Sequence, residues 1–563
     1  MELKRVLTVL CVVAATLGFS RLSVAQERPN GPDFMLLRAN ADAAYRAQHW
    51  QDAISLYADI EKGDPADGVA WFRLGRAKSR LGNFTDSIAD FREAIRLGFV
   101  DEPRGDYFVA QDYALAGDST AAFDWLHKAL TAGYRDRLDI ADDDAFKNLR
   151  NDSRFQQLAS PKPAARTREQ GWNSDIDYLI SEIKRVHYVY RDRPLPPEFL
   201  VQEKALRKAI PSMPDARVVL SMQRLVAMLG DGHSVIYPAG MERGVLHVLP
   251  LRLYWFQEGL FILSARDDPK LAGCRVLSIG GMDPETVVRR MQPYMSHDNE
   301  SEIRWVSPAY LIVSELLEMV GAGSNGVSEF AVQCGESPQR TVRFTASQKP
   351  AAEEDYDVTL PPLSDKTNPL YLSNVSKAYW FTELPEGIVY LQFNQVKNDD
   401  AESLAAFADR MRETLAKPEI RGLVLDLRRN NGGEATLTPD LLRTLVWFNV
   451  GKGQGSIIAL IGRNTFSAAQ DFTNYLNIMT DATFVGEPTG SRPLLVGDTA
   501  NFRLPYSGVI GQLAPGIHAD ALYRDDRAWI AADVPAAPTA KDYYAGRDPA
   551  LEEAIAILTK RPH

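Results

Sequence analysis

The spacing of apolar residues in the first part of the chain predicts helices. Small or large apolar residues recur there in a 34-residue frame. The matching sets are Ala53, Tyr57 and Ile60, then Ser87, Phe91 and Ala94, and then Ala121, Trp125 and Lys128. A period of this length is typical of a repeated helical hairpin, in which small residues let two helices approach and aromatic residues fill the gaps.

The middle repeat carries further residues of a known pattern. Trp71, Leu74 and Gly75 precede Phe91 at the spacing W-x-x-L-G, and the whole resembles tetratricopeptide repeats. We therefore predict a tetratricopeptide (TPR)-like helical repeat domain over residues 33–158, with an irregular helical domain as the alternative. Such repeats present a concave face to peptides or proteins, so a protein partner is expected there.

A proline-containing linker at residues 159–171 follows the repeats. The pattern stays helical over residues 172–240. It then alternates as strands do over residues 241–347, with a helical insert at 303–320. Over residues 378–563, apolar strands and helices alternate, which is typical of crossover units on a mostly parallel sheet. The prediction is a multidomain protein in which all-α repeats precede an α/β core.

Composition narrows the function without identifying it. The 563 residues suit about three or four domains, and the net charge of -11 comes without a basic stripe. We therefore expect no nucleic-acid partner. No H-E-x-x-H sequence and no cysteine–histidine cluster is present, so neither a metal nor another cofactor is expected.

The amino terminus has the pattern of a secretory signal. Lys4 and Arg5 precede an apolar run at residues 6–19, and small residues follow at 23–25. We predict a signal peptide over residues 1–25 and a protein that is exported, periplasmic or secreted, with no membrane span after cleavage. An uncleaved anchor is the alternative.

Two cysteines, Cys274 and Cys334, lie beyond this signal. An oxidising compartment permits a disulfide between them, and two buried thiols are the alternative.

Candidate chemistry lies in the loops that follow two predicted strands, because ligands of α/β sheets bind beyond the carboxyl ends of strands. After Ile461 the chain reaches Ser467, at the first turn of a predicted helix, where free N–H groups and the helix dipole suit an oxyanion. The same serine forms capping-box spacing with Gln470. After Leu427 the chain reaches Gly432, next to a second glycine, and this pair fits either a tight turn or an oxyanion donor.

A nucleophilic serine needs a base, and histidine is the first candidate. His233 lies where a predicted helix turns into a strand, and His297 and His518 are its rivals. His187 lies in an amphipathic helix and is predicted to be structural.

Four short segments together resemble the tail-specific (C-terminal processing) protease superfamily, in the branch near the tricorn core and interphotoreceptor retinoid-binding protein. In chain order they are residues 229–234 (LGDGHS), 425–433 (LDLRRNNGG), 465–469 (TFSAA) and 485–490 (VGEPTG). The resemblance implies a ClpP/crotonase-like peptidase core over residues 378–563. It also implies a PDZ-like module over residues 241–347, with a carboxylate-binding loop at 259–262.

The same resemblance assigns roles to individual residues. Ser467 would be the nucleophile and His233 the general base, while the N–H groups of Gly432 or Gly433 and of Ala468 would form the oxyanion hole. One branch of the superfamily uses a lysine base after a G-x-x-T-x-G element. Here Arg492 follows that element, and an arginine stays protonated at any working pH.

The sequence departs from this pattern at the residue that should orient the histidine. The tricorn core has a glutamate that would fall near residues 517–525, where this chain has none. Glu487 and Asp498 are the candidate orienting carboxylates, with Asp520 and Asp525 as further alternatives. Three functions stay open: a serine endopeptidase acting on peptides or protein tails, a catalytically inactive ligand- or peptide-binding protein on the same scaffold, and a scaffold protein that acts through its repeats.

Overall fold

A computed structural model describes most of the chain, and the predicted signal peptide lies outside the described residues. The described residues are 32–99, 102–134, 137–159, 167–237, 245–347, 356–363, 368–518 and 525–560. They divide into two compact units. The first runs to Tyr134 and includes Ile140–Leu158, and the second comprises Arg135–Asp139 and the residues from Ala159 onward.

Paired antiparallel helices make up the first unit, as the 34-residue repeat predicts. Along residues 32–159 the helices are α1 (Pro32–Arg46), α2 (Trp50–Gly63), α3 (Gly68–Arg80), α4 (Phe84–Arg96), α5 (Glu102–Leu115), α6 (Ser119–Thr131), α7 (Arg137–Asp142) and α8 (Ser153–Ala159). Gly75 lies against the ring of Phe91, where a Cβ atom would come within 3.1 Å of two ring carbons. The Ser87 hydroxyl donates a hydrogen bond to the Gly75 carbonyl at 2.8 Å. Small residues therefore let α3 and α4 pack closely.

The third repeat corrects one detail of the prediction. Lys128 is exposed and Trp125 is only half-buried, whereas Ala122, Leu126 and Ala129 are buried in α6. These buried positions lie 35 residues, not 34, after Ser87, Phe91 and Ala94. One additional residue between α4 and α5 shifts the frame, so the predicted third set lies one position away from the core.

The second unit contains the remaining helices and all the strands of the described residues. Its helices are α9 (Arg168–Val186), α10 (Pro197–Ala209), α11 (Asp215–Ala227), α12 (Pro284–Met291), α13 (Glu300–Tyr310), α14 (Ser314–Met319), α15 (Leu404–Leu415), α16 (Pro439–Lys452), α17 (Ala468–Met479), α18 (Ala540–Ala545) and α19 (Pro549–Thr559). Its strands are β1 (Val235–Ile236), β2 (Leu251–Phe256), β3 (Gly259–Ala265), β4 (Arg275–Ile279), β5 (Val327–Gln333), β6 (Arg340–Thr345), β7 (Tyr379–Leu384), β8 (Ile388–Phe393), β9 (Gly422–Asp426), β10 (Ile457–Ile461), β11 (Thr483–Gly486), β12 (Leu495–Gly497), β13 (Ala500–Arg503), β14 (Ile510–Leu513), β15 (Gly516–His518) and β16 (Val534–Pro535).

A six-stranded sheet in the order β16-β11-β10-β9-β8-β7 organises the last third of the described chain. The strands pair in parallel, except β7, which is an antiparallel edge. Residues of α15, α16 and α17 cover one face, and α19 covers the other. Strands covered on both faces are apolar throughout, which is why β9 and β10 form unbroken apolar runs in the sequence. The predicted α/β fold class is confirmed.

A second sheet, in the order β2-β3-β4-β5-β6, builds the middle of this unit. The helical insert at 303–320 is two helices, α13 and α14, rather than one. A disulfide joins Cys274 and Cys334 beside this sheet, which decides between the two alternatives for the cysteines. Residues 259–262 are part of strand β3 and pair with β2, so the expected carboxylate loop is wrong at this position.

Helices α9, α10 and α11 share a core with a small sheet in the order β1-β14-β13. Strand β1 pairs antiparallel with β14, and His233 lies just before it in the turn after α11. Residues 233–236 are thus attached to residues 510–513, which lie far away in the sequence. Among the described residues, no helix is long and apolar enough to cross a bilayer.

Candidate active site

The two loops that the sequence selects lie side by side at the carboxyl edge of the central sheet. Strands β9 and β10 are parallel neighbours, with Asp426 opposite Leu460. Beyond them, the Leu427 N–H donates to the Leu460 carbonyl at 2.8 Å, and the Phe466 N–H donates to the Asn430 carbonyl at 3.2 Å. The residues around Gly432 and Ser467 are therefore held together by backbone hydrogen bonds.

Ser467 adopts a backbone conformation that a serine rarely has. Its φ is 55° and its ψ is -128°, in the turn between β10 and α17. Such a conformation costs about 1–3 kcal/mol in a residue with a side chain, and such residues are common at functional sites. The side chain makes no capping hydrogen bond, and Gln470 instead donates to Asn474 at 2.8 Å. The capping-box alternative is therefore wrong, and the half-buried Ser467 hydroxyl is not engaged as a cap.

Gly432 packs directly against Ser467. A Cβ atom on Gly432 would lie 2.6 Å from the Ser467 Cβ and 2.9 Å from the Ala468 nitrogen, and its φ is +109°. Any side chain here would displace the serine. The glycine is required for this close approach and is not merely a turn former.

Two backbone N–H groups beside Ser467 have no acceptor among the described residues: those of Ala468 and Gly433. The Gly432 N–H, in contrast, donates to the Asn430 Oδ1 at 3.0 Å. Unused N–H groups beside a serine are candidate donors for an oxyanion. Of the two glycines that the sequence offered, Gly433 is the one with a free donor.

The Asp231 side chain holds the turn that contains His233. Its Oδ1 accepts hydrogen bonds from the N–H groups of His233, at 3.0 Å, and Ser234, at 2.6 Å. Its Oδ2 lies 3.0 Å from His187 Nε2, and both side chains are fully buried. The Nδ1 of His187 accepts two backbone N–H groups, so His187 carries its proton on Nε2 and donates it to Asp231.

The His233 imidazole lies beside the serine loop but has no polar partner. It is 3% exposed and stacks on the ring of Phe466, with centroids 4.5 Å apart and an interplanar angle of 16°. Within the described residues neither of its ring nitrogens forms a hydrogen bond, so it is bonded neither to Ser467 nor to a carboxylate. Burial lowers the pKa of His233 to about 4, against a smaller opposing effect of Asp231. The ring is therefore neutral at neutral pH.

The rival histidines have other partners. His518 lies between Asp471, at 3.1 Å, and Asp498, at 3.5 Å. Hydrogen bonds to these carboxylates raise the pKa of His518 to about 10, so it is a cation and not a base at neutral pH. The Nδ1 of His297 lies 2.7 Å from the Met295 carbonyl.

Neither candidate orienting carboxylate is hydrogen-bonded to His233. Glu487 lies 3.3 Å from the Arg463 Nε, and Asp498 lies beside His518. Asp525 accepts hydrogen bonds from Arg527. Asp520 lies outside the described residues.

A group of buried carboxylates behind the His233 turn escaped the sequence analysis. Asp298 Oδ1 accepts the Gly232 N–H at 3.0 Å, and the Asp298 N–H donates to Glu302 Oε2 at 2.6 Å. Glu302 fills the space above Gly232, where a Cβ would lie 2.4 Å from its Oε2. Burial raises the pKa of Asp298 to about 6 and raises that of Glu302 well above its usual value. The predicted helical insert gave no signal that these residues contact the histidine turn.

The start of α13 also reaches the segment after β11. Asn299 donates to the Ala528 carbonyl at 2.7 Å, and Ser301 donates to the Pro488 carbonyl at 2.8 Å. Arg492 donates to the Asp298 carbonyl at 2.9 Å. The Ser467 N–H donates to the Ser491 hydroxyl at 3.2 Å, so this segment supports the serine turn as well. Residues at the start of α13 thus connect the histidine turn with the support of the serine turn.

Comparisons with known proteins agree with this architecture. Residues 38–98 and 72–136 match the family model of the tetratricopeptide repeat. The second unit has an α/β fold that is also found among solved structures of proteases. It is similar to CPAF: a mutant of that protein superposes with a TM-score of 0.50 at 12% identity, covering 70% of this chain and 99% of that one.

Other solved structures align over similar lengths. Mature CPAF aligns with a TM-score of 0.47 at 12% identity, over 70% of this chain and 99% of that one. The photosystem II D1 C-terminal processing protease aligns with a TM-score of 0.34 at 15% identity, over 70% of this chain and 98% of that one. No curated protein matches the sequence.

Proposed function

We propose that the protein is a serine peptidase that cleaves peptides or protein tails, with Ser467 as the nucleophile. The observation that carries this proposal is the Ser467 turn. A serine in a strained conformation, not used as a cap, lies beside two backbone N–H groups that have no other acceptor among the described residues. The fold shared with CPAF and the ordered motifs support the same assignment.

The proposed reaction uses groups of this chain alone. The Ser467 Oγ attacks the substrate carbonyl carbon while its proton passes to the neutral imidazole of His233. The N–H groups of Ala468 and Gly433 donate to the oxygen of the tetrahedral intermediate. His233 then returns the proton to the leaving amine, and water hydrolyses the acyl-enzyme. The His233 ring has to move from its stack on Phe466 to reach Ser467, and catalytic hydrogen bonds often form only once substrate is bound.

A second candidate function rests on the unpartnered histidine. An imidazole that no carboxylate orients and that burial makes weakly basic suits a non-catalytic peptide-binding protein on the same scaffold. We keep this as the alternative.

The proposed setting is outside the cytoplasm. The sequence pattern of residues 1–25 is that of an export signal, and the Cys274–Cys334 disulfide is of a kind that persists in oxidising compartments. The repeat domain would recruit a protein partner or substrate, as such repeats commonly do. We also propose that residues 241–347 act as the PDZ-like module that the sequence resemblance implies.

A fluorophosphonate probe tests the assignment on the purified protein without its signal. We expect covalent labelling of the wild type and none of Ser467→Ala. Ser403→Ala is the matched control, because Ser403 caps the distant helix α15, and it should label like the wild type. Equal labelling of Ser467→Ala would refute the nucleophile. If neither the wild type nor Ser403→Ala is labelled but both bind peptide, the result would favour the non-catalytic peptide-binding function.

A further inference from the structure

A narrow cavity lined by arginines opens at the same edge of the sheet as Ser467. Its volume is about 70 Å³, and its walls include Arg304, Arg428, Arg429 and Arg463 with a single carboxylate, Glu487. Aromatic rings of Tyr254, Trp305 and Tyr371 complete the walls. Four guanidinium groups around one small cavity are costly to bury together unless anions neutralise them.

Three of these arginines have carboxylate partners. Arg428 is bonded to both Asp426 and Asp548, which pins helix α19 to the end of β9. Arg463 pairs with Glu487 at 3.3 Å, and Arg304 pairs with Glu285 at the rim.

Arg429 is different. Within the described residues its guanidinium donates to one acceptor, the Leu360 carbonyl at 2.9 Å, and it forms no ion pair with a carboxylate. A guanidinium has five N–H donors in a planar fork that matches a carboxylate, so most of its capacity is unused. Burial lowers the pKa of Arg429, and the nearby carboxylates of Asp357 and Asp426 offset this effect only in part.

The cavity is within reach of a peptide bound at Ser467. Asn464 lines it and precedes Ser467 by three residues, and Arg429 precedes Gly432 by three residues. Three peptide units span at most about 11 Å between Cα atoms. Trp305, in the cavity wall, also contacts Phe466 with ring centroids 5.4 Å apart. An extended peptide of about three or four residues therefore covers the distance between the serine and the cavity.

We propose that this cavity, the arginine pocket, is a subsite that binds a carboxylate group of the peptide substrate through Arg429. The inference rests on the proposed function, since it assumes that a peptide lies across Ser467. The carboxylate comes either from the peptide's own C-terminus or from an acidic side chain a few residues from the scissile bond. Glu487 and the aromatic walls exclude a large or multiply charged anion.

Binding is measured on Ser467→Ala protein, so that the result does not depend on catalysis. Fluorescent peptides of one sequence are compared by anisotropy: a free C-terminus without internal acid, the same peptide amidated, and amidated peptides with an internal Glu or Gln. We expect the best carboxylate-bearing peptide to bind about tenfold or more tightly than its neutral counterpart, because a charge-assisted hydrogen bond is worth about 1.5–3 kcal/mol. The arm that shows the preference identifies the source of the carboxylate.

Substitutions then locate the subsite. Adding Arg429→Gln should remove the preference, Arg429→Lys should restore part of it by keeping the charge, and Arg443→Gln should leave it intact. Arg443 is an exposed arginine on α16 paired only within its own helix. Equal affinity for charged and neutral peptides, or a preference that survives Arg429→Gln in folded protein, would overturn the inference. Cleavage of neutral and acidic peptides at equal rates by the wild type would overturn it as well, while leaving the proposed peptidase intact.

Discussion

The two halves of the candidate site are prepared to different degrees. On the nucleophile side, Ser467 is held in a strained turn, Gly432 packs against it, and two neighbouring N–H groups have no acceptor among the described residues. On the base side, the His233 backbone is anchored by Asp231, but its imidazole stacks on Phe466 without a hydrogen bond. The candidate oxyanion donors are thus fixed by the fold, whereas the candidate base has a fixed backbone but no residue that orients its ring.

This difference indicates that the base half of the site needs bound substrate for its final arrangement. Backbone strain and backbone donors are fixed when the chain folds, so they cost no reorganisation during the reaction. A side chain without polar contacts has to be oriented by something else. In this molecule that side chain is the His233 imidazole, and we expect a bound peptide to displace it from Phe466.

The largest effect expected from a change on the base side is that of His233→Gln. If His233 takes the proton of Ser467, its loss should lower kcat by about 10⁴-fold or more, since members of such a pair act as a unit. Steady-state hydrolysis of a peptide selected in the anisotropy binding assay measures it. His127→Gln, an exposed histidine on α6, is the control and should be neutral. A rate within tenfold of the wild type would show that the base half of the comparison has been assigned to the wrong residue.

On the nucleophile side the strongest prediction concerns Gly432→Ala. The added Cβ would meet Ser467 and Ala468 at under 3 Å in a backbone conformation with φ +109°. We expect kcat to fall by about 10²-fold, because a displacement near 1 Å at reacting groups costs that much. Gly451→Ala is the control, since its Cβ would meet nothing within 4 Å and it lies in helix α16. Equal activity of the two variants would show that Gly432 does not shape the site.

The sequence could predict those parts of the site that depend on local contacts, but not those that depend on contacts between distant residues. The strand–loop–helix pattern around residues 457–476 and the glycines after Leu427 are local signals, and they located the serine loop and its neighbour correctly. The capping alternative could not be decided there, because the Gln470 side chain donates to Asn474 instead, a choice that only the three-dimensional structure shows. The Asp298 and Glu302 contacts connect the chain across about 70 residues to Gly232, and no local pattern reports such a contact.

The repeats show the same limit on a smaller scale. Helical periodicity identified the first two units correctly, since Tyr57 and Phe91 are buried as expected. One additional residue in a connection then moved the third unit out of frame. A strict period carries no information about loop length, so the error appeared where a loop, not a helix, changed.

A smaller effect is expected from the carboxylates behind the histidine turn. Asp298→Ala removes the acceptor of the Gly232 N–H and should destabilise the fold by about 1–3 kcal/mol, because that N–H then stays buried without a partner. We expect kcat to fall about tenfold through the shifted His233. Asp298→Asn keeps an oxygen at the same place and should retain most of both properties. Thermal unfolding and peptide hydrolysis, measured on the pair of variants, separate loss of the acceptor from loss of the charge. If Asp298→Asn loses as much stability and activity as Asp298→Ala, the charge and not the hydrogen bond holds the turn; if both variants match the wild type, Asp298 does not hold it.

The smallest expected effect is the change in kcat/KM as the pH falls from 7 to 5.5. It tests whether the base half of the site works in the arrangement that the structure shows. Because burial lowers the pKa of His233 to about 4, the ring stays neutral as the pH falls from 7 to 5.5, and kcat/KM should change less than about twofold. A histidine with the ordinary pKa near 6.5 would lose about eightfold over that interval. Asp298, with a pKa of about 6, gains a proton in the same window, so the profile is repeated with Asp298→Asn, in which that group no longer titrates. An eightfold loss in both proteins would mean that the catalytic imidazole has left its buried position against Phe466 before it accepts the proton. The base half of the site would then be assembled only in a rearranged state, whereas the nucleophile half is already complete.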